Sequence, residues 1–218
     1  MIEMEHVFVR YGDIESLIDI HLRIERGEFI YLYGASGSGK TSFLKLITRE
    51  IIPESGKVHI DGKDLAAFGK SEVQKLRRRI GFAYQDFRLL WKKTVFENME
   101  FVLHAVREKE DIIFEKVCGM LKLVGLLGKK DFLIPHLSYG EQRCLSIARA
   151  LVNTPDIILA DEPTTDLEPH VRKEIMRILN NIVHQEKTTV ILATREKMLI
   201  DEYPHRVINL KDGRIGKE

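Results

Sequence analysis

Residues Gly34-Ala35-Ser36-Gly37-Ser38-Gly39-Lys40-Thr41 fit the pattern G-x-x-x-x-G-K-[ST] without a mismatch. The chemistry this pattern supports is anion binding. Its glycines let consecutive backbone N–H groups turn inward around a phosphate, where side chains would obstruct them. A helix after the loop, opening near Ser42, presents its unpaired N–H groups and the positive end of its dipole to the same anion. Lys40 then reaches the β- and γ-phosphates of a nucleotide, and the Thr41 hydroxyl holds Mg²⁺. Further along, Ile157-Ile158-Leu159-Ala160 reads as an apolar strand that delivers Asp161 and Glu162 at its C-terminal edge, where ligands sit in open α/β sheets. Asp161 is expected to position Mg²⁺, directly or through water. Glu162 is expected to orient or deprotonate the attacking water. Two acids at a strand end are common by chance; joined to the phosphate loop they are a strong signal.

Elements of the right kind flank these residues. Apolar runs and alternation predict strands over 2–9, 18–24, 28–33, 57–60, 80–84, 156–160, 188–193 and 206–210. Helical spacing is expected at 42–47, 71–79, 94–106, 111–124, 142–151 and 168–186. Alternating strands and helices with continuous apolar strands imply a mostly parallel α/β sheet. From about Phe87 to Val152 the spacing is helical throughout, so a helical subdomain (87–152) is expected inside a core formed by about 1–86 and 153–218, all one domain. The basic run Arg77-Arg78-Arg79 ends the helix at 71–79; it faces lipid headgroups, acidic partner loops or, more simply, solvent.

Composition narrows the partners. The chain has 218 residues, 44% hydrophobic and 31% charged, with a formal net charge of +1 at pH 7, which gives no reason to expect nucleic acid or direct contact with an anionic membrane. Cys118 and Cys144 are far apart, and the eight histidines lack metal-ligand spacing, so neither a disulfide framework nor a zinc site is expected. The chain starts on a strand pattern and no signal peptide is expected. No run approaches the ~18 apolar residues of a membrane span. Any membrane contact is therefore expected through another chain.

Leu137-Ser138-Tyr139-Gly140-Glu141-Gln142, followed by a helix, resembles the L-S-G-G-[EQ] signature of the ATP-binding-cassette family. With the phosphate loop, Gln85 and Asp161-Glu162 in the family's order, the resemblance covers the whole chain. It implies the P-loop NTPase fold of a cassette nucleotide-binding domain, with an antiparallel N-terminal β part beside the parallel core. It also implies ATP and Mg²⁺ as cofactors, and two copies closing head to tail on two ATP molecules. Ser138, Gly140 and Glu141 of one copy then meet the nucleotide of the other. By the same resemblance Tyr11 stacks on adenine, against the alternative of a strand-end core tyrosine. Gln85 touches Mg²⁺ or water, and residues 163–168 form an inter-subunit loop. Tyr84-Gln85-Asp86-Phe87-Arg88-Leu89-Leu90, Thr94–Asn98 and Leu76–Gly81 are similar to the family's cell-division cassettes. That similarity implies an integral membrane partner of FtsX type and a place on the inner face of a bacterial membrane, with cell-wall hydrolysis regulated through the partner. Lipoprotein release, macrolide export, or a switch governed by ATP occupancy stand as alternatives.

The sequence makes four departures from the family's pattern, the last of them a pair of residues. Arg195 stands where a histidine is usual; arginine donates but cannot accept, so slow hydrolysis is expected, with Arg195 set to contact the γ-phosphate. Tyr139 replaces the first signature glycine, Glu168 an aspartate, and Arg143-Cys144 a Gln-Arg pair.

Overall fold

The computed structural model describes residues 1–216. Strands β1 (Ile2–Tyr11) and β2 (Ile14–Ile24) form an antiparallel hairpin through Gly12, whose φ of 57° suits a residue without a Cβ. β3 (Phe29–Tyr33) leads into α1 (Lys40–Ile47), and β4 (Ser55–Ile60) returns to pair with β1, carrying the two-residue β5 (Lys63–Asp64) on its outer edge. α2 (Lys70–Arg78) and β6 (Ile80–Ala83) follow. Next come α3 (Val95–Ala105), α4 (Glu110–Leu123) and α5 (Tyr139–Leu151). The chain then runs through β7 (Ile157–Asp161), α6 (Pro169–Glu186), β8 (Thr189–Thr194), α7 (Lys197–Glu202), β9 (Arg206–Lys211) and β10 (Arg214–Ile215).

Two sheets result. One is antiparallel, in the order β2-β1-β4-β5; the other runs β10-β9-β3-β8-β7-β6 and is parallel except at β10. The central parallel strands β3, β7 and β8 are buried on both faces, which is why they read as continuous apolar runs, whereas β9 is exposed on one face and alternates. In β8, Val190 and Leu192 face α5, α6 and the helical stretch, whereas Ile191 and Ala193 face α1 and the antiparallel sheet. Each face thus has its own apolar cluster.

The helical stretch is tied to the parallel sheet at close quarters. A Cβ on Gly81 in β6 would lie 2.0 Å from the Ala150 carbonyl oxygen in α5, so glycine permits the helix to rest on the strand. Asn98, fully buried in α3, accepts from the Leu90 N–H and donates to the Leu90 and Thr94 carbonyls, fixing the turn that precedes α3.

Several sequence expectations need correction. β2 starts at Ile14, earlier than 18, because its first residues lie on an exposed hairpin and carry no apolar alternation. α7, β5 and β10 are too short to leave a periodic signal. The basic run is exposed at Arg77 and Arg78, as expected of a solvated face, but two of its members also hold the fold: Arg77 donates to the Thr48 and Arg49 carbonyls, and Arg79 bridges Asp61 and Asp156 at 2.6 and 2.5 Å. Lys217 and Glu218, within the domain range expected from sequence, lie outside the described residues.

Candidate functional site

Between β3 and α1 the chain folds into a tight loop that glycines make possible. A Cβ at Gly34 would lie 2.3 Å from the Leu210 carbonyl oxygen, and one at Gly39 would lie 2.4 Å from that of Ser16. Gly39 caps α1 with φ of 103° and no side-chain hydrogen bond, and the first turn holds no acidic residue. The N–H groups at this helix start are therefore left for an anion.

The two carboxylates meet this loop. Thr41 Oγ1 donates to Asp161 Oδ2 at 2.8 Å. Lys40 Nζ donates to the Gly34 and Ala35 carbonyls at 2.8 and 3.0 Å and lies 3.5 Å from Glu162 Oε1. Glu162 has a φ of 49°, uncommon for a residue with a Cβ, and that turn leaves its carboxylate to face the loop. Its Oε2 accepts from Thr165 Oγ1 at 3.0 Å and from the Arg195 backbone N–H at 3.4 Å. Burial pushes the Asp161 carboxyl above its ordinary range; the neighbouring Glu162 charge adds to this, while the Thr41 hydrogen bond opposes it.

A cavity of about 210 Å³ gathers most of the residues singled out from sequence: Ser36, Gly37, Gly39, Lys40, Thr41, Ser42, Gln85, Asp161, Glu162 and Arg195. Gly34, Ala35 and Ser38 complete the loop behind it. Tyr11 sits at the mouth, 46% exposed, its hydroxyl accepting from Ser42 Oγ at 3.4 Å. Its ring is open for stacking and is not a core tyrosine. Thr41, Asp161 and Gln85 all line this cavity, and their oxygens are of the hard kind that Mg²⁺ takes. Ser16, whose hydroxyl lies 2.7 Å from that of Ser42, and Thr165 also line the cavity. Ser16 left no signal in the sequence. Thr165 could have been found from its place three residues after Glu162.

Ser138 and Gly140 are elsewhere. With Tyr139 and Glu141 they line a second cavity, of about 540 Å³, which shares no lining residue with the first. Ser138 caps α5: its Oγ accepts from the Glu141 N–H at 3.3 Å, and Glu141 Oε2 accepts from the Ser138 N–H at 3.0 Å. Glu141 also pairs with Lys129 at 2.5 Å. Burial works against its charge, yet Lys129 and the Ser138 amide hold its carboxyl below the ordinary range. One oxygen of Glu141 thus holds Ser138 and the other Lys129, and the side chain lines the same cavity as Ser138 and Gly140. The phosphate-loop residues and the Ser138–Gly140 segment thus line separate cavities within one chain.

A family profile described as ABC transporter matches residues 17–165. The whole chain is 42% identical to the cell division ATP-binding protein FtsE of Bacillus subtilis (strain 168), covering 96% of that protein. It is 40% identical to FtsE of Mycobacterium tuberculosis, covering 95% of it. Among solved structures, the dimeric post-hydrolysis state of the ATP-binding cassette MJ0796 bound to ADP and Pi superposes with a TM-score of 0.91 at 32% identity, over 100% of this chain and 97% of that one.

Proposed function

Because this chain belongs to the ABC transporter family and is one of its ATP-binding, ATP-hydrolysing cassettes, we propose that it drives an integral membrane protein of FtsX type and so regulates cell-wall hydrolysis in bacterial cell division. The observation that carries the division reading is the end-to-end likeness to FtsE, at 42% identity with 96% of that protein covered.

The phosphate loop and the α1 N-terminus bind the ATP phosphates, with Lys40 exchanging its loop carbonyls for phosphate oxygens. Tyr11 takes the adenine face. Thr41, Asp161 and Gln85 hold Mg²⁺, which draws charge from the phosphoryl oxygens when bound. Glu162, oriented by Thr165 and the Arg195 N–H, accepts the proton of the attacking water. Arg195 donates to the γ-phosphate. Its side chain has no hydrogen-bond or ion-pair partner of its own among the described residues. Since Ser138 and Gly140 lie on a separate cavity, a second copy supplies them, and the ATP-bound form is a head-to-tail dimer.

Among the described residues no helix is long and apolar enough to cross a membrane. The membrane is reached through the partner, and the protein sits peripherally on its inner face. A groove of about 540 Å³ between α2, β6, α3 and α5, with Phe82, Tyr84, Phe101 and Val106 in its lining, receives a short cytoplasmic helix of the partner. From the expected stretch 94–124, α3 and Val106 just after it contribute. Gln85 lies one residue beyond the lining residue Tyr84.

The test is a pull-down from native membranes with Glu162→Gln in the presence of ATP. Recovery of an FtsX-type protein is expected. A lipoprotein-release or export permease in its place would move the function to transport. A second reading, a switch governed by occupancy, is favoured by Arg195 in the histidine's place; an ATP dimer of the unaltered chain that outlives many turnover times would select it.

A further inference from the structure

α5 grips the segment that carries Gln85. One turn after Ser138, Arg143 is 1% exposed. Its Nη1 donates to the Tyr84 carbonyl at 3.1 Å and its Nη2 to the Tyr139 hydroxyl at 3.3 Å. Its guanidinium carbon lies 4.4 Å from the centre of the Phe87 ring, which itself packs at 5.0 Å on Tyr139. No carboxylate pairs with it among the described residues, and its Nε is buried without a partner. A guanidinium taken out of water among neutral acceptors is a costly way to seat a helix, and a packed apolar side chain would stabilise at least as well. An apolar side chain cannot, however, hold two separated oxygens and a ring face together, as a planar fork can. Arg149 adds contacts at 2.7 Å to the Phe87 and Arg88 carbonyls. Phe87 and Arg88 have φ of 60° and 48°, a conformation that surrounding contacts must hold.

We propose that Arg143 is a positioning residue: it fastens the Ser138–Gly140 end of α5 to the Gln85 turn, so that the surface met by a second copy and the side chain facing the phosphates move as one body. Tyr139 completes the fastening. Two of the departures from the family's pattern, Tyr139 and Arg143, are thus one contact. The inference rests on the dimeric reading above.

The test measures steady-state ATPase, KM for ATP and ATP-dependent dimerisation of the full chain. The variants are Arg143→Gln, Arg143→Lys and Tyr139→Phe, and Gln85→Ala alone and combined with Arg143→Gln. Arg143→Gln and Gln85→Ala are each expected to lower kcat about tenfold with KM within about twofold, and the double variant to be no slower than either. Arg143→Lys keeps the charge but not the fork and is expected to match Arg143→Gln. Tyr139→Phe, at a half-exposed position, is expected to lower kcat about threefold at unchanged melting temperature, which separates positioning from folding. Losses at Arg143 and Gln85 that multiply independently, or a Tyr139→Phe variant at the unaltered rate, would overturn the proposal while leaving the dimer intact. If the unaltered chain neither hydrolyses ATP nor dimerises, the dimeric reading itself fails and takes Arg143's role with it.

Discussion

Glu162 is held by three groups at once: Lys40, the Thr165 hydroxyl and the Arg195 amide. Glu162→Gln keeps the volume and most of the hydrogen bonding but cannot accept the water proton. We expect kcat to fall about 10²- to 10³-fold with nucleotide affinity retained, read as phosphate release beside equilibrium ATP binding. Arg195→His restores a ring nitrogen able to accept from water, and the steady-state rate should rise several-fold; an unchanged or lower rate would show that the missing imidazole does not limit turnover. Lys40 and Thr41 were legible from type and spacing because the loop that presents them is local. Tyr11, Gln85 and Arg195 reach the same cavity from far along the chain. Their places followed from likeness to a family, since no local spacing encodes a meeting of β1, β6 and β8.

At the scale of elements, the contact of β6 with α5 and the turn before α3 set how the helical stretch sits on the sheet. Gly81→Ala drives a methyl into the Ala150 carbonyl, and a loss of about 3 kcal/mol in urea unfolding is expected. Asn98→Ala leaves the buried Leu90 N–H without its acceptor, while the Leu90 and Thr94 carbonyls keep the Lys93 and Asn98 backbone N–H groups, and should cost about 1–3 kcal/mol in the same measurement. The central strands β3, β7 and β8 were legible because burial on both faces writes them as apolar runs, and β9 because its half-buried face alternates. β5, β10 and α7 are set by their neighbours rather than by any pattern of their own. Arg77 and Arg79 are surface charges, as they read, but the carbonyls and carboxylates they hold come from distant segments and left no pattern beside them.

For the whole molecule, the separation of the two cavities predicts a shared site. Mixing Lys40→Ala with Gly140→Asp, each inactive alone, should recover about a quarter of the activity: half of the dimers are mixed, and each mixed dimer has one intact site of two. No recovery would exclude the composite site. The sequence by itself determined the phosphate loop, the two carboxylates and the alternation of strands and helices, because each depends on residues adjacent in the chain or on burial that repeats along it. Tertiary structure decided the rest. It placed Ser138 on a cavity apart from that of Lys40, and it set Arg143 against the Tyr84 carbonyl and the Phe87 ring. These outcomes depend on which distant backbone atoms arrive beside a side chain, and packing alone sets that.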